Sequence, residues 1–480
     1  MLAEYKVESY YDEMFLNRGQ ARSNYTSLCQ SLEKMPRNEF TRKSDTAKKA
    51  LKNLGITFRV YGDPEQEERI IPFDIIPRMI GSQEWTALEK GLKQRIKALN
   101  LFTHDIYRDG KIIKDKVIPP EIVYGSEGYL KESEGLNPIN KTWLHISGTD
   151  LIRDSLGEFH VLEDNLRCPS GVSYVLENRE VMKRIFPELF ETLMIRPVYN
   201  YPIHLKSMLS QLSEKERPNI VVLTPGSFNS AYYEHSLLAQ EMGVSLVEGS
   251  DLVCQDEKVY MKTTSGLKVV DVIYRRIDDA FLDPEIFNPE SVLGVKGLFE
   301  AYTKGNVALA NAPGAGVADD KALYAYVPQI IKYYLGEDAL LPNIETFLCS
   351  NEKDCKYVLE NMKDLVVKAT NGSGGYGIMI GPKASQEEKD KFRSMIQENP
   401  KKYIAQPVIS LSRVPTWVED SIEGRHVDLR PFILHEKDDI YVLPGGLTRV
   451  ALKKGSLVVN SSQGGGTKDT WVIGDTNNVK

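Results

Sequence analysis

The sequence predicts an α/β protein with α+β character, and three observations carry that prediction. In residues 1–135 apolar residues recur at helical spacing, as at Leu88, Leu92, Ile96, Leu99 and Leu101 of "WTALEKGLKQRIKALNLFTHDIY". Over 217–340 short buried strands alternate with helical segments, the pattern of a parallel, Rossmann-like unit. After about 341 strands are joined by glycine-rich connections, as in "LVVKATNGSGGYGIMIG".

The bulk numbers narrow the function. The chain has 480 residues, room for about two to four compact units. With 41% hydrophobic and 26% charged residues it has the composition of a soluble globular protein. A net charge of −7 lacks the clustered basic surface of a nucleic-acid binder. The seven His show no metal-ligand spacing, and five Cys without a CxxC suit a reducing compartment. "MLAEYKVESYYDEMF" has no basic-then-apolar signal pattern. No run approaches the roughly 20 apolar residues of a membrane helix. A cytoplasmic protein with no membrane or nucleic-acid partner is expected.

In chain order, "ITFRVYG" and "RIIPFDIIP" are short extended pieces beside the N-terminal helices. A hairpin over 140–175 precedes a return to helical pattern through 216. "NIVVLTPGSFNSAYYEHSLLAQEMG" then runs from a buried strand, Ile220–Leu223, through a Pro-Gly turn into a helix over 230–241. "VSLVEGSDLVCQ", "VVDVIYRRI" and "NVALANAPG" supply further strands.

The hairpin "HISGTDLIRDSLGEFHVLEDN" carries the chemistry. A two-residue loop at Leu156-Gly157 sets Ile152 opposite Val161, Leu151 opposite Leu162 and Asp150 opposite Glu163. The apolar pairs match, yet two carboxylates face each other, which is unfavourable without compensation. Asn165 shares the face of Glu163, because strand side chains alternate. A hard, oxygen-seeking cation such as Mg²⁺ resolves the repulsion. The plainer alternative is a solvated hairpin end.

Asp150, Glu163 and Asn165 followed by "PSG" resemble the Mg²⁺ segment of ATP-grasp ligases, in which these three side chains hold ions on the ATP phosphates. In that resemblance Lys368 and the loop glycines Gly372, Gly374 and Gly375 form a phosphate lid, since glycine amides close over phosphate and lysine adds charge. "ADDKALYAYVPQ" supplies Lys321 as the first ATP lysine. "YIAQPVIS" is similar to the hinge strand that bonds adenine, with Gln406 and Val408 near the base; an ordinary edge strand is the alternative, since Pro407 limits pairing. "HVDLRPFIL" and "GGLTRVALKKGSLVVNSSQGGGTKD" imply Arg430 and Arg449 as catalytic arginines and Asn460 on the phosphates. Many such ligases carry an arginine two residues before the metal Asp; here that position is Gly148, so Arg167 or Arg153 is expected to take the role.

The order of these segments is unusual: the metal hairpin precedes the lysine loop and hinge instead of following them. The chain therefore resembles the circularly permuted ATP-grasp family, glutathionylspermidine synthetase being a relative within the superfamily. The resemblance implies a helical region over 1–135, the permuted metal hairpin over 136–216, a pre-ATP-grasp domain over 217–340, and lid, hinge and central sheet over 341–480. It implies ATP and Mg²⁺ as cofactors and an ATP-dependent ligase joining a carboxylate to an amine through an acyl phosphate. The alternatives are a phosphotransferase without an amine acceptor and a non-catalytic nucleotide-binding partner. Asp278 or Asp279 of "RIDD" is expected near the amine, on the loop after a parallel strand. Cys168 reads as a buried small residue rather than a nucleophile.

Overall fold

The computed structural model describes residues 2–58, 69–371, 377–437, 439–457, 459 and 465–474. Two helices, Thr26–Lys34 and Arg37–Asn53, precede strand β1 (Phe73–Ile80), which is buried along its whole length. The helix Ser82–Ile106 buries Trp85, Leu88, Leu92, Ile96, Leu99, Phe102 and Ile106 as one stripe. Each such side chain contributes roughly 1.5–3 kcal/mol relative to exposure. Leu101 is off the stripe and 39% exposed; Phe102 takes the place the sequence pattern gave it. Among the described residues, no helix is long and apolar enough to cross a membrane.

Strands β2 (Ile146–Arg153) and β3 (Phe159–Asn165) form the hairpin, with a different turn from the one expected. The Asp154 amide donates to the Glu158 carbonyl at 3.0 Å, and Gly157 adopts φ +88°. The loop is therefore three residues long and ends in a left-handed glycine. Leu151 meets Val161, and Ile152 meets His160, one position off the expected register. A β-bulge between these pairs and Asp150 takes up the extra residue, Leu162. Beyond the bulge Asp150 faces Glu163, as expected, and Gly148 faces Asn165.

Strands β4 (Ile220–Leu223), β5 (Ser245–Val247), β6 (Val272–Arg275) and β7 (Ala308–Ala310) make a parallel sheet in the order β7-β6-β4-β5. The helix after β4 spans Tyr232–Met242. A small antiparallel sheet over 252–269 interrupts the alternation between β5 and β6. Strand order reverses between β4 and β6, so the loops after them flank the crevice where such sheets bind ligands.

The next unit is antiparallel: β8 (Phe347–Leu348), β9 (Leu365–Ala369), β10 (Ile378–Ile380) and β11 (Tyr403–Pro407), in the order β8-β11-β9-β10. The "YIAQP" strand is thus interior and not an edge. Pro407 sits at its last position, where the missing N–H costs least.

The chain closes with β12 (Arg413–Val418), β13 (Ser421–Arg430), β14 (Phe432–His435), β15 (Ile440–Val442), β16 (Leu447–Val450) and β17 (Gly466–Val472). These join the earlier strands in a nine-stranded sheet, ordered β15-β14-β2-β13-β16-β17-β1, with β3 on β2 and β12 on β13. β2 lies between β13 and β14, so Asp150 neighbours residues almost 300 positions later. β1 pairs in parallel with β17, so the N-terminal region supplies a strand of the sheet besides its helices.

Candidate active site

Asp150 is fully buried and held by two arginines. Arg430 grips it with two nitrogens, Nε to Oδ1 at 2.5 Å and Nη2 to Oδ2 at 2.8 Å. Arg449 donates Nη2 to Oδ2 at 2.6 Å while its Nε holds Asp428 at 2.9 Å. The pairing of β13 with β16 sets Asp428 opposite Arg449. Burial alone would raise the Asp150 carboxyl; the Arg430 and Arg449 guanidiniums instead hold it well below the usual carboxylate range.

Gly148 explains how Arg430 reaches this place. A Cβ on Gly148 would lie 3.4 Å from Arg430 Cγ and Cδ and 3.3 Å from Pro169 Cβ. The glycine thus leaves room for an arginine from β13. The two arginines expected in that role, Arg153 and Arg167, pair with other carboxylates. Arg153 is buried against Glu13 and Glu84 beyond the hairpin. Arg167 is held by Asp319 at 3.5 Å and Asp278 at 3.9 Å.

Glu163 faces cations. Lys321 Nζ lies 3.8 Å from its carboxylate. Burial, and then Asp150, push the Glu163 carboxyl up. Lys368, buried on β9, donates to Gln406 Oε1 at 2.7 Å, and Gln406 donates to Thr346 Oγ1 at 3.0 Å. Burial pushes the Lys368 ammonium down to about 8. The Val408 amide, just past β11, is bonded to the Asp364 carbonyl. The Asn165 side-chain nitrogen is buried and unpartnered. Gly372, Gly374, Gly375 and Asn460 lie outside the described residues.

Three residues that sequence reasoning missed assemble these parts. Asn311 spans the open end of the hairpin. Its Oδ1 accepts the amides of His145 and Ile146 at 2.7 and 2.8 Å, and its Nδ2 donates to the carbonyls of Ile146 and Leu166. Asp319 accepts the Leu166 amide at 2.9 Å, tying the lysine loop to the end of β3. Asp320 caps the single-turn helix Lys321–Tyr324 through the Ala322 amide at 2.8 Å and accepts the Ser126 hydroxyl. The "ADDK" pattern offered a cap signal; nothing local marks Asn311.

The "RIDD" loop follows β6 as expected, but Asp279 turns inward to Arg275 at 2.8 Å and is not available to an amine. Asp278 stays exposed. Arg276 donates to the Pro169 carbonyl at 2.7 Å and pairs with Glu234 at 3.0 Å. Glu234 in turn accepts the amides of Gly171 and Ser173 at the start of the helix Val172–Ile185. The Cys168 thiol faces backbone carbonyls and is pushed up by burial, the state of an inert thiol.

Among the described residues this site offers a cation oxygen donors from Asp150, Glu163 and Asn165, beside Lys321, Lys368, Arg430 and Arg449. That donor set fits a hard ion, and the excess of cations fits a polyanion.

An uncharacterized protein of Synechocystis sp. is 57% identical over 474 residues, 98% of each chain. One from Mycobacterium tuberculosis is 51% identical over 465 residues, 96% of this chain and 84% of that one. A Frankia alni protein named "Putative glutamate--cysteine ligase 2-3" is 38% identical over 470 residues; this chain spans 54% of its length. In fold, the chain is similar to a glutathione synthetase-like effector from Globodera pallida, with TM-score 0.59, 11% identity, and coverage of 92% of this chain and 99% of that one. The sequence model of one family, circularly permuted ATP-grasp type 2, matches residues 77–451, and the chain belongs to that family.

Proposed function

We propose that the protein is an ATP-dependent ligase that joins a carboxylate to an amine. The observation that carries this reading is that Lys321 and Lys368 gather at Glu163, and Arg430 at the Asp150 that faces it across the hairpin. Asp150, Glu163 and Asn165 are the residues that would hold Mg²⁺, which in a nucleotide complex draws charge from the phosphate oxygens. Lys321 and Lys368 bind phosphate, and Gln406 releases the Lys368 ammonium to it. A carboxylate oxygen of the substrate attacks the γ-phosphorus, the bond to the β-bridging oxygen breaks, and ADP leaves. The amine nitrogen then attacks the acyl carbon, the carbon–oxygen bond to phosphate breaks, and the amine loses a proton. Arg430 and Arg449 offset the developing charge. The nucleotide is assigned to 341–480, the ion to the hairpin of 136–216 and the acceptor to the crevice of 217–340. The five cysteines are free thiols, which suits the cytoplasm. The Frankia alni protein is nearly twice as long, this chain spanning 54% of it.

The test is a screen of amino acids and small peptides against amines, read as ADP and as product mass. ADP release that needs no amine would make the protein a phosphotransferase, and no ADP under any condition would leave a nucleotide-binding partner. Lys368→Ala is expected to lower ATP affinity roughly 10- to 100-fold with the fold intact, the loss of one charge-assisted contact; unchanged affinity by calorimetry would contradict the assignment. The pH profile is a second check. The free ammonium titrates near 8 with Glu163, Asp150 and Lys321 around it, so it binds phosphate fully charged below that value. ATP affinity is expected to fall as pH rises through about 8, with proton uptake on binding in that range.

A further inference from the structure

We propose that Arg430 is an exchangeable counter-ion that occupies the metal's place at Asp150 until nucleotide arrives. The inference rests on the ligase reading for the identity of the ion and the nucleotide. Its evidence is a difference between the two arginines on one carboxylate. Arg449 is fixed at both ends, between Asp150 and Asp428, and is almost wholly buried. Arg430 is fixed at one end only. Its remaining nitrogen touches a single backbone carbonyl, Ser170, at 3.3 Å.

The two oxygens of Asp150 are divided accordingly. Oδ2 is shared by both arginines, whereas Oδ1 is held by Arg430 alone. A carboxylate this deeply buried needs an opposite charge at all times. Arg430 shares that task with Arg449 in the absence of an ion, and its aliphatic stem packs on Gly148, where a Cβ would lie 3.4 Å from its Cγ and Cδ. Its remaining nitrogen already points at the "PSG" turn, which Arg276 and Glu234 hold in place.

The consequence is an ordered arrival. A free divalent ion must displace a bidentate guanidinium from Oδ1 and leave that guanidinium without an anion. An ion carried on ATP brings phosphate oxygens, which give the released Arg430 a new partner. Metal binding is thereby made conditional on nucleotide. The released arginine then pairs with the phosphate that displaced it.

The experiment titrates the full-length protein with Mn²⁺ in place of Mg²⁺, reading free Mn²⁺ by electron paramagnetic resonance, with and without a non-hydrolysable ATP analogue. Wild type is expected to take up Mn²⁺ tightly only with the analogue. Arg430→Met is expected to bind Mn²⁺ without nucleotide at least tenfold more tightly than wild type, and its melting temperature should rise with Mn²⁺ alone. Adding Asp150→Asn should abolish the gain. Arg430→Lys, which keeps the charge but loses the fork, should lie between the two and guards against a poorly folded Met variant. Equal Mn²⁺ affinity of wild type and Arg430→Met without nucleotide overturns the proposal, as does tight Mn²⁺ uptake by wild type alone. If analogue-dependent uptake persists in wild type while Arg430→Met gains nothing, the ligase reading stands and only the exchange falls. If wild type takes up no Mn²⁺ even with the analogue, both fall.

Discussion

Glu163→Gln is expected to lower turnover roughly 100- to 1000-fold, the cost of removing one preorganised charge-stabilising group, while leaving the nucleotide-free protein as stable as before or slightly more so. The two effects have opposite signs for one reason. Burial and the facing Asp150 both disfavour the ionised Glu163 carboxyl, so the fold bears a cost for the charged form. A neutral amide of the same shape removes that cost. The gain is small, because Asp150 is already neutralised by Arg430 and Arg449 and Glu163 has Lys321 nearby. In the assembled complex the same amide is a poorer ligand, so residual activity should require more Mg²⁺. Melting temperature without nucleotide and ADP formation against Mg²⁺ concentration measure both halves. A stable variant with full turnover at ordinary Mg²⁺ would reduce the hairpin end to a structural feature.

The second large effect falls on stability. Arg449→Met is expected to cost about 3–5 kcal/mol, since it breaks a buried pair from one side. It leaves Asp428 fully buried with no cation of its own and removes one of the two donors to Asp150 Oδ2. Arg449→Met combined with Asp428→Leu should recover much of the loss, because the uncompensated charge goes with it. The pH dependence follows from the carboxyls. In wild type the depressed Asp150 carboxyl contributes stability above the ordinary carboxylate range and loses it as pH falls through its folded value. In the variant the orphaned Asp428 takes up a proton, so the gap between variant and wild type should narrow toward acid pH in chemical denaturation. An equal gap at pH 4 and pH 7 would mean that Arg449 acts through packing alone.

What the sequence made legible was local, or was a pairing with a visible cost. The stripe of the helix Ser82–Ile106 follows from period alone, and Asp150 opposite Glu163 stands out because like charges face each other. The bulge at Leu162 did not, since the three-residue turn and the bulge compensate and leave both ends of the hairpin in place. Arg430 and Arg449 were assigned only through the resemblance. Their bonds to Asp150 span 280 and 299 residues, and no periodicity reaches that far. Gly148 read as a missing arginine, when its lack of a side chain is what admits one. Asn311 was invisible for the same reason as the arginines: its five side-chain bonds are to segments 144 to 166 residues away.

The parallel pairing of β1 with β17 sets a delay during synthesis. β1 leaves the ribosome early and presents Phe73, Ile75, Ile76, Met79 and Ile80, all buried in the finished protein. Its partner comes much later: 394 residues separate Asp74 from Lys468, the ion pair that joins the two strands. At roughly 5–20 residues per second this is a wait of about 20–80 s. Throughout it an apolar strand edge is open to any other nascent chain. A message truncated before codon 466 never ends the wait, so its product is expected to be retained by chaperones or degraded even though every residue of the candidate active site named from 150 to 449 has already been made.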